Sequence, residues 1–585
     1  MTAIATHAPT LKVNGAPLAE QWLNELVDLR IRRALGLVGR ATLRFSDPGF
    51  ALSATNLFAL GAEVSITLKG EGELMAGSVT GVSLEQSYSQ HPELAVTVDD
   101  VAYKLTRGTT VKTYLQAKYS DVIAQLGSSA GVAVEVDTTS EVHEYLLQAG
   151  QDLAFLNSIV ERVGYVWWVE GKKLLVKKAG PPKVALRLVL NESLLDFSVR
   201  ASGLRPTGLT VNGWNPDKQD AIVGKNGNPS DSPNATFVSK YVGASSPLDT
   251  AAASVADPSA GTTSEADSIA SGLYEDWTSS AVVARGTCTA SSYIKPSAKV
   301  EVADAGPASG TYRVSEVEHI FNSSGFFTRW VAGPRRPSAL VDTLGAPSAD
   351  PGFIAPGLVV AIVTNGNDPD NVGRVKIKYP GIGGAIESPW ARVVALGAGN
   401  ARGTVFQPEV NDEVLVGFEF GDTRRPVVIG GLFSKVNALP TSGSGFASGK
   451  VNFRRITSRK NHVIELADGD APNEQHIMLK LGTAEHKVRL GADRFDIEVA
   501  KGKPITIKAG DAKFDISAIG DVTIEGNNVK IKAKMAVKLE GLETTMKAEV
   551  KASVQGAMVE VKGSATTGVE ASGPLTLKGA IVQIN

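Results

Sequence analysis

Few residues in this 585-residue chain are spaced for chemistry. His143-Glu144-Tyr145-Leu146-Leu147 opens like a zinc-protease helix, but no second histidine follows. One His and one Glu cannot fill a zinc shell. The seven histidines are scattered without a local pair. Residues 443–450 carry the glycines and lysine of a phosphate loop, yet Ser444 stands at the first glycine position and Val451 replaces the hydroxyl residue. A flexible linker is the better reading. Asp468 and Asp470 flank Gly469; this reads as a hairpin turn, because a calcium loop needs more ligands at fixed spacing. Cys288 is the one cysteine. It excludes an internal disulfide and a thiolate cluster, and is expected as a small buried hydrophobe. These residues point away from an enzyme, a cofactor and a metal.

Composition narrows the classes further. The formal net charge is −2, so no global field attracts nucleic acid or anionic lipid. The length allows about three to five domains. No apolar run approaches the roughly 18 residues of a membrane helix. The first residues, Met1-Thr2-Ala3-Ile4-Ala5-Thr6-His7, lack the basic segment and apolar core of a secretory signal. Synthesis in the cytoplasm is expected.

The strongest pattern lies at 453–585. In Val529-Lys530-Ile531-Lys532-Ala533-Lys534-Met535-Ala536-Val537-Lys538-Leu539-Glu540 every odd position is apolar and almost every even one is charged. That is the period of a strand with one wet and one dry face. The beat recurs at Ile477/Leu479/Leu481, Val488/Leu490, Phe495/Ile497/Val499, Val522/Ile524 and Val559/Val561, between glycines such as Gly491, Gly510, Gly526, Gly541 and Gly556. No helix or second sheet follows to cover the dry face. Three such ribbons wound about one axis would bury it, with Phe495, Ile497, Val522, Ile524, Val529, Ile531, Val537 and Leu539 in the shared core. The outer Lys and Glu residues read as a solvated face that blocks sideways sheet stacking. Val582, Ile584 and Asn585 would end the shaft, three copies each, as a flat apolar surface that invites a cap.

Upstream, residues 1–115 read as short strands between Gly, Asp and Pro turns, a first small β-barrel. Residues 116–182 form an α+β segment. Ser120-Asp121 caps one helix, a second starts near Gln151-Asp152 and ends at Gly164, and Tyr165–Val169 pairs with Leu174–Val176. Trp167 and Trp168 point to opposite faces, one toward the helix and one toward solvent or a partner. Residues 183–340 read as a second barrel, with strands at 183–240 and 281–335, a mobile loop at 251–263 and a helix at 264–279. Residues 341–356 and 437–452 are linkers. Between them, 357–436 carries five strands, at 358–363, 373–379, 390–395, 413–420 and 426–432, which fit an OB-type barrel.

This third unit also carries a specific resemblance. Its blocks are Gly373-Arg374-Val375-Lys376-Ile377-Lys378-Tyr379-Pro380, Ser388-Pro389-Trp390-Ala391-Arg392-Val393, Pro408-Glu409-Val410-Asn411-Asp412-Glu413-Val414, and Gly421-Asp422-Thr423-Arg424-Arg425-Pro426. In order and spacing they resemble the OB domain of VgrG-type spikes of contractile injection systems and phage tails. Residues 145–156 with Gly164-Tyr165, and 311–319, resemble the phage late-control hub domain. The ribbon is similar to the family's three-stranded β-prism. Here the barrel lacks a clustered basic face with interleaved aromatics, and Trp390 and Phe418 read as core, so no nucleic acid is expected.

The resemblance implies a mainly β chain: two hub β-barrels with small α+β insertions, an OB-fold barrel and a C-terminal intertwined trimeric β-prism. It implies a homotrimeric central spike that joins a hexameric tube and baseplate proteins to a PAAR-type tip protein, leaves room for effector cargo, and pierces a target membrane mechanically when a sheath contracts. The two barrels per chain would present six near-equivalent surfaces to the tube. No lysozyme domain fits between barrel and prism, and no toxin follows the prism. With its last histidine at His486, the chain makes no His-x-His ion site at the tip. The turn at 421–426 and the compact size are more similar to spikes of extracellular, phage-tail-like particles. A trimeric tailspike or fibre that binds surface glycans is the alternative.

Overall fold

The computed structural model describes residues 8–88, 91–178, 183–215, 218–226, 233–242, 251–257, 260–335, 357–381, 386–440, 446–447 and 449–584. The expected linker at 341–356 lies outside these residues, as does most of the glycine-rich stretch at 443–448. The chain forms two units, Met1–Leu439 and Pro440–Asn585.

The first unit is built on a fourteen-stranded sheet. Alternation makes the strands: in Arg40–Ser46, Ala41, Leu43 and Phe45 are buried while Arg40 faces water. The two expected β-barrel regions share this one sheet. Its seam is the antiparallel pair Gly310–Asn322 and Leu26–Ala34, with Val317 opposite Arg33 and Ile320 opposite Arg30. Their cores stay separate. Leu29, Ile31, Leu43, Phe45, Ile66 and Val96 fill one; Val300, Tyr312, Val314, Val317, Trp330 and Cys288 fill the other. Cys288 is buried as expected, and burial pushes its thiol up to about 12.

Between these cores lie two helices, Tyr119–Ala130 and Asp152–Val163, each ended by a glycine with positive φ, Gly131 (+64°) and Gly164 (+68°). Lys118, two residues before the expected Ser120, is the cap of the first, and Asp121 sits in its first turn. The hairpin Tyr165–Glu170 and Lys173–Lys178 forms in the expected register. Both tryptophans are buried. Trp167 donates to Asn157 Oδ1 of the second helix at 2.7 Å. Trp168 does not meet solvent; it packs with Leu35, Val166 and Leu175, because the sheet seam closes over that side. Two further expectations change. Residues 252–256 form a strand parallel to Gly208–Asn215, not a loop. Residues 236–242 form a helix, not a strand. The helix Thr263–Ser279 follows its Thr262 cap.

The OB barrel has its five strands in the order Lys376–Lys378, Val359–Asn365, Glu413–Phe418, Pro426–Gly431, Arg392–Val393. Ala361, Val363, Ile377, Tyr379, Val414, Val416 and Val428 fill it. Tyr145 and Leu147, from the strand Val142–Gln151, enter the same core.

The second unit holds a five-stranded antiparallel sheet, Phe453–Thr457, Val463–Asp468, Gln475–Lys480, Lys487–Gly491 and Phe495–Glu498, and a three-stranded one, Ile505–Ala509, Ala512–Ile516 and Val522–Glu525. From Gly526 to Ile584 no residue joins a ladder within the chain.

One close approach fixes the hub. The helix Thr263–Ser279 crosses the end of Asp152–Val163 at two glycines: a Cβ on Gly272 would lie 2.7 Å from the Gly164 Cα. Gly272→Val is expected to destabilise the first unit by about 1–3 kcal/mol through forced separation of the helices. Gly150→Ala, which meets nothing within 4 Å, should leave the denaturation midpoint unchanged.

Candidate functional site

The ten motif residues of the barrel hold turns and strands. Gly373 has φ +80°, and a Cβ there would stand 2.5 Å from Gln407 Nε2, which donates to the Gly373 carbonyl at 2.9 Å. Arg374 grips Asp368 through Nη2 (2.6 Å) and Nε (3.2 Å). Asp368 also accepts the backbone N–H groups of Asp370, Val372 and Arg374. The Arg374 bonds hold its carboxyl well below the ordinary range. Trp390 is half-buried, not core: the Arg374 guanidinium and Lys376 Nζ lie 5.9 and 5.5 Å from its ring centre. Phe418 packs against the core, 5.9 Å from the Tyr379 ring. Val375 is buried, Asp412 accepts from the Glu409 N–H at 2.7 Å in the turn after Pro408, and Glu413 and Pro426 open strands.

Asp422 and Arg424 reach out of the barrel. The turn that carries them includes Phe420 (φ +52°) and Gly421 (φ +78°). Arg424 donates to Asp422 Oδ2 (2.9 Å), to Glu265 Oε1 (3.1 Å) and to His143 Nδ1 (3.4 Å). Glu265 sits in the first turn of Thr263–Ser279 and also accepts from Arg162 at 3.1 Å. Arg162 in turn pairs with Asp257 at 2.9 Å. Beside this clamp, Arg425 donates to the Trp214 carbonyl at 2.9 Å. The His143 ring lies 4.0 Å from that of Tyr119. Five charged side chains and a histidine from the α+β segment, the second β region and the barrel thus meet out of water.

Geometry sets the charge states. A guanidinium only donates, so His143 accepts through Nδ1 and carries its proton on Nε2. Burial and the Arg424 charge lower its pKa to about 4. Burial opposes ionisation of Glu265, but Arg424 and Arg162 outweigh it and hold the carboxyl at about 2. The region that opens like a zinc helix is in fact a strand, and His143 serves this joint.

The second unit presents a different surface. In the five-stranded sheet Ile456, Ile464, Leu479, Val488 and Ile497 are successive cross-strand partners, and Ile477, Leu490 and Phe495 form a second row beside them. In the three-stranded sheet Ile507, Phe514 and Ile524 do the same. Beyond Glu525 the chain bends at 527, 534–535, 542, 549–550, 557–558, 564–565, 572–573 and 580–581. A small residue precedes each bend: Gly526, Ala533, Gly541, Ala548, Gly556, Gly563, Ala571 and Gly579. At Gly541, Gly556 and Gly579 a Cβ would meet the carbonyl oxygen two residues on at 3.0–3.1 Å. Two alternate positions ahead of each small residue carry the row: Val529/Ile531, Val537/Leu539, Thr544/Met546, Ala552/Val554, Val559/Val561, Thr567/Val569 and Leu575/Leu577.

The eight expected core residues, Phe495, Ile497, Val522, Ile524, Val529, Ile531, Val537 and Leu539, are all 49–70% exposed and uncovered by their own unit. Met535 departs from the expected alternation. It sits in a bend and is 99% exposed, so the run 529–540 is two short legs, not one strand. Asp468 and Asp470 of the acidic turn pair with Arg454 and Lys450. Val582 and Ile584 end the row; Asn585 lies outside the described residues.

The clamp makes two predictions. Arg424→Ala leaves Asp422 buried without the cation it grips and Glu265 with Arg162 alone, and should destabilise the first unit by about 3–5 kcal/mol, read by chemical denaturation. The depressed pKa of His143 contributes stability that is full above its unfolded value, near 6.5, and is lost as pH falls toward 4. Glu265 adds a further loss from its ordinary 4.5 down to about 2. His143→Gln should therefore flatten the stability profile between pH 6.5 and 4 and leave the steeper loss below it.

Comparison with known proteins agrees with this arrangement. The type VI secretion system/phage-baseplate injector OB domain family matches residues 359–433, and the Alg8 N-terminal domain family matches residues 4–323. The type VI secretion system spike protein VgrG3 of Vibrio cholerae is 28% identical over 139 residues, 23% of this chain and 14% of that relative. The chain thus spans about 14% of the curated relative it matches. Among solved structures, the Francisella PdpA–VgrG complex superposes with TM-score 0.50 at 8% identity, over 90% of this chain and 89% of that one. The c3393 protein of E. coli, a type VI secretion component, superposes with TM-score 0.46 at 16% identity, over 72% and 99%. No helix among the described residues is long and apolar enough to cross a membrane. Over more than half its length the chain belongs to the Alg8 N-terminal domain family, and residues 359–433 carry an injector OB domain similar to that of VgrG-type spike proteins.

Proposed function

We propose that this chain is the homotrimeric, non-enzymatic central spike of a contractile injection system and acts by piercing a target envelope. One observation carries the reading: two rows of aliphatic side chains run from residue 456 to 584 with no cover in their own unit. Each buried Val, Leu or Ile is worth about 1.5–3 kcal/mol, a gain that only other chains can supply here. Three copies wound together bury the rows and pair the backbone groups that lack a ladder from Gly526 onward. A shaft closed in this way resists local unfolding under load.

The hub end, in this reading, docks on a hexameric tube and baseplate proteins, and the apolar end at Val582 and Ile584 takes a PAAR-type tip protein. The solved VgrG relative held with PdpA supports a place for a partner protein on such a spike. Assembly follows cytoplasmic synthesis, and the spike works within a secretion system or an extracellular, virion-like particle.

The purified, non-denatured protein is expected to have three times the chain mass by light scattering; a monomer overturns the proposal. Val537→Asp or Ile531→Asp should abolish the trimer, since a buried charge without a partner costs several kcal/mol per copy. Met535→Asp, in a bend, should trimerise normally.

A further inference from the structure

The uncovered rows differ in kind along their length. From Val522 onward they repeat: Ile524, Leu539, Val554, Val569 and Ile584 recur every fifteen residues, as do Gly526, Gly541 and Gly556. Sliding one copy by fifteen residues against another would place like on like. A repeat of this kind specifies register weakly. Something aperiodic must fix which turn of one chain meets which turn of the next.

The five-stranded sheet at 453–498 is aperiodic. One face carries Ile464, Leu466, Ile477, Leu479, Val488 and Leu490, with a hollow of about 510 Å³ over its Ile464–Leu479–Val488 row. The other face is polar: Arg455 pairs with the buried Glu465, His476 Nε2 is hydrogen-bonded to the same carboxylate at 3.0 Å, and Arg489 pairs with Asp493 (2.9 Å).

We propose that this apolar face docks on the same face of other copies and sets the register of the shaft. The inference rests on the trimeric reading. Its occupant is a second copy because the same alternation runs on along the sequence, through Ile505/Ile507, Phe514/Ile516 and Val522/Ile524, into rows that need the same cover. Winding of those rows tethers the three faces at an effective concentration on the order of millimolar.

Three full-length proteins test this, each in a Cys288→Ser background with K530C as a cross-linking reporter on the solvent side of the repeat. Deletion of residues 541–555 joins Glu540 to Gly556 and keeps the repeat in phase. It should give one trimer species with undiminished cross-linking at position 530. L479R/V488R leaves every repeat intact. It should give a broad set of staggered assemblies, with cross-linking reduced at least about five-fold. L479A/V488A, which keeps the face apolar, should fall between the two and guards against a sheet that fails to fold. Uniform trimers with full cross-linking from L479R/V488R would overturn register setting while leaving the trimer standing. A monomeric parent protein would overturn both.

Discussion

Hydrophobic rows that a chain cannot cover by itself are the constraint behind the second unit. Ordering each residue costs about 1–2 kcal/mol of backbone entropy, and that cost is met only when aliphatic area leaves the water. In one chain the rows stay half exposed, so the gain is not collected. Every other feature of the region follows from preparing for that event. Small residues let the chain bend at intervals of seven or eight without steric conflict. Charge on alternate positions keeps the outer face wet. The absence of a ladder beyond Glu525 leaves backbone groups for neighbouring chains.

The first unit solves a different problem by different means. Two β regions, two helices and an OB barrel are held in fixed relation by a shared sheet, a shared core at Tyr145 and Leu147, and the clamp around Arg424. A buried ionic clamp is a poor source of net stability, because desolvation offsets most of the attraction. It is a good source of specificity: any displacement of the barrel strands charges away from water. Apolar contact supplies the adhesion and the ions supply the position.

Much of this was legible in the residues. Strand periodicity, the glycine ends of helices and the five barrel strands all follow local rules, and the structure keeps them. Gly373 and Asp412 stood in the sequence only as members of the motif blocks, and their roles in turns needed the backbone. What stayed hidden depends on distant pairing. Nothing near Arg424 announces Glu265, which lies 159 residues away, and nothing near His143 tells a strand in a joint from the start of a metal helix. One of the two tryptophans read as facing solvent or a partner because alternation says which face a side chain takes, not what other segment will cover it. Met535 read as inward because strict alternation hides a bend that only backbone geometry reveals.

The order of the units along the polypeptide has its own consequence. A ribosome completes residues 1–439 before it begins the aliphatic rows, and at about 5–20 residues per second the remaining segment takes on the order of ten seconds to emerge. The sticky surface is therefore born onto a body that is already folded and charged on its exterior. Nascent copies on one messenger can meet while each still carries only a short stretch of bare ribbon, an order of events that suits the trimer proposed above.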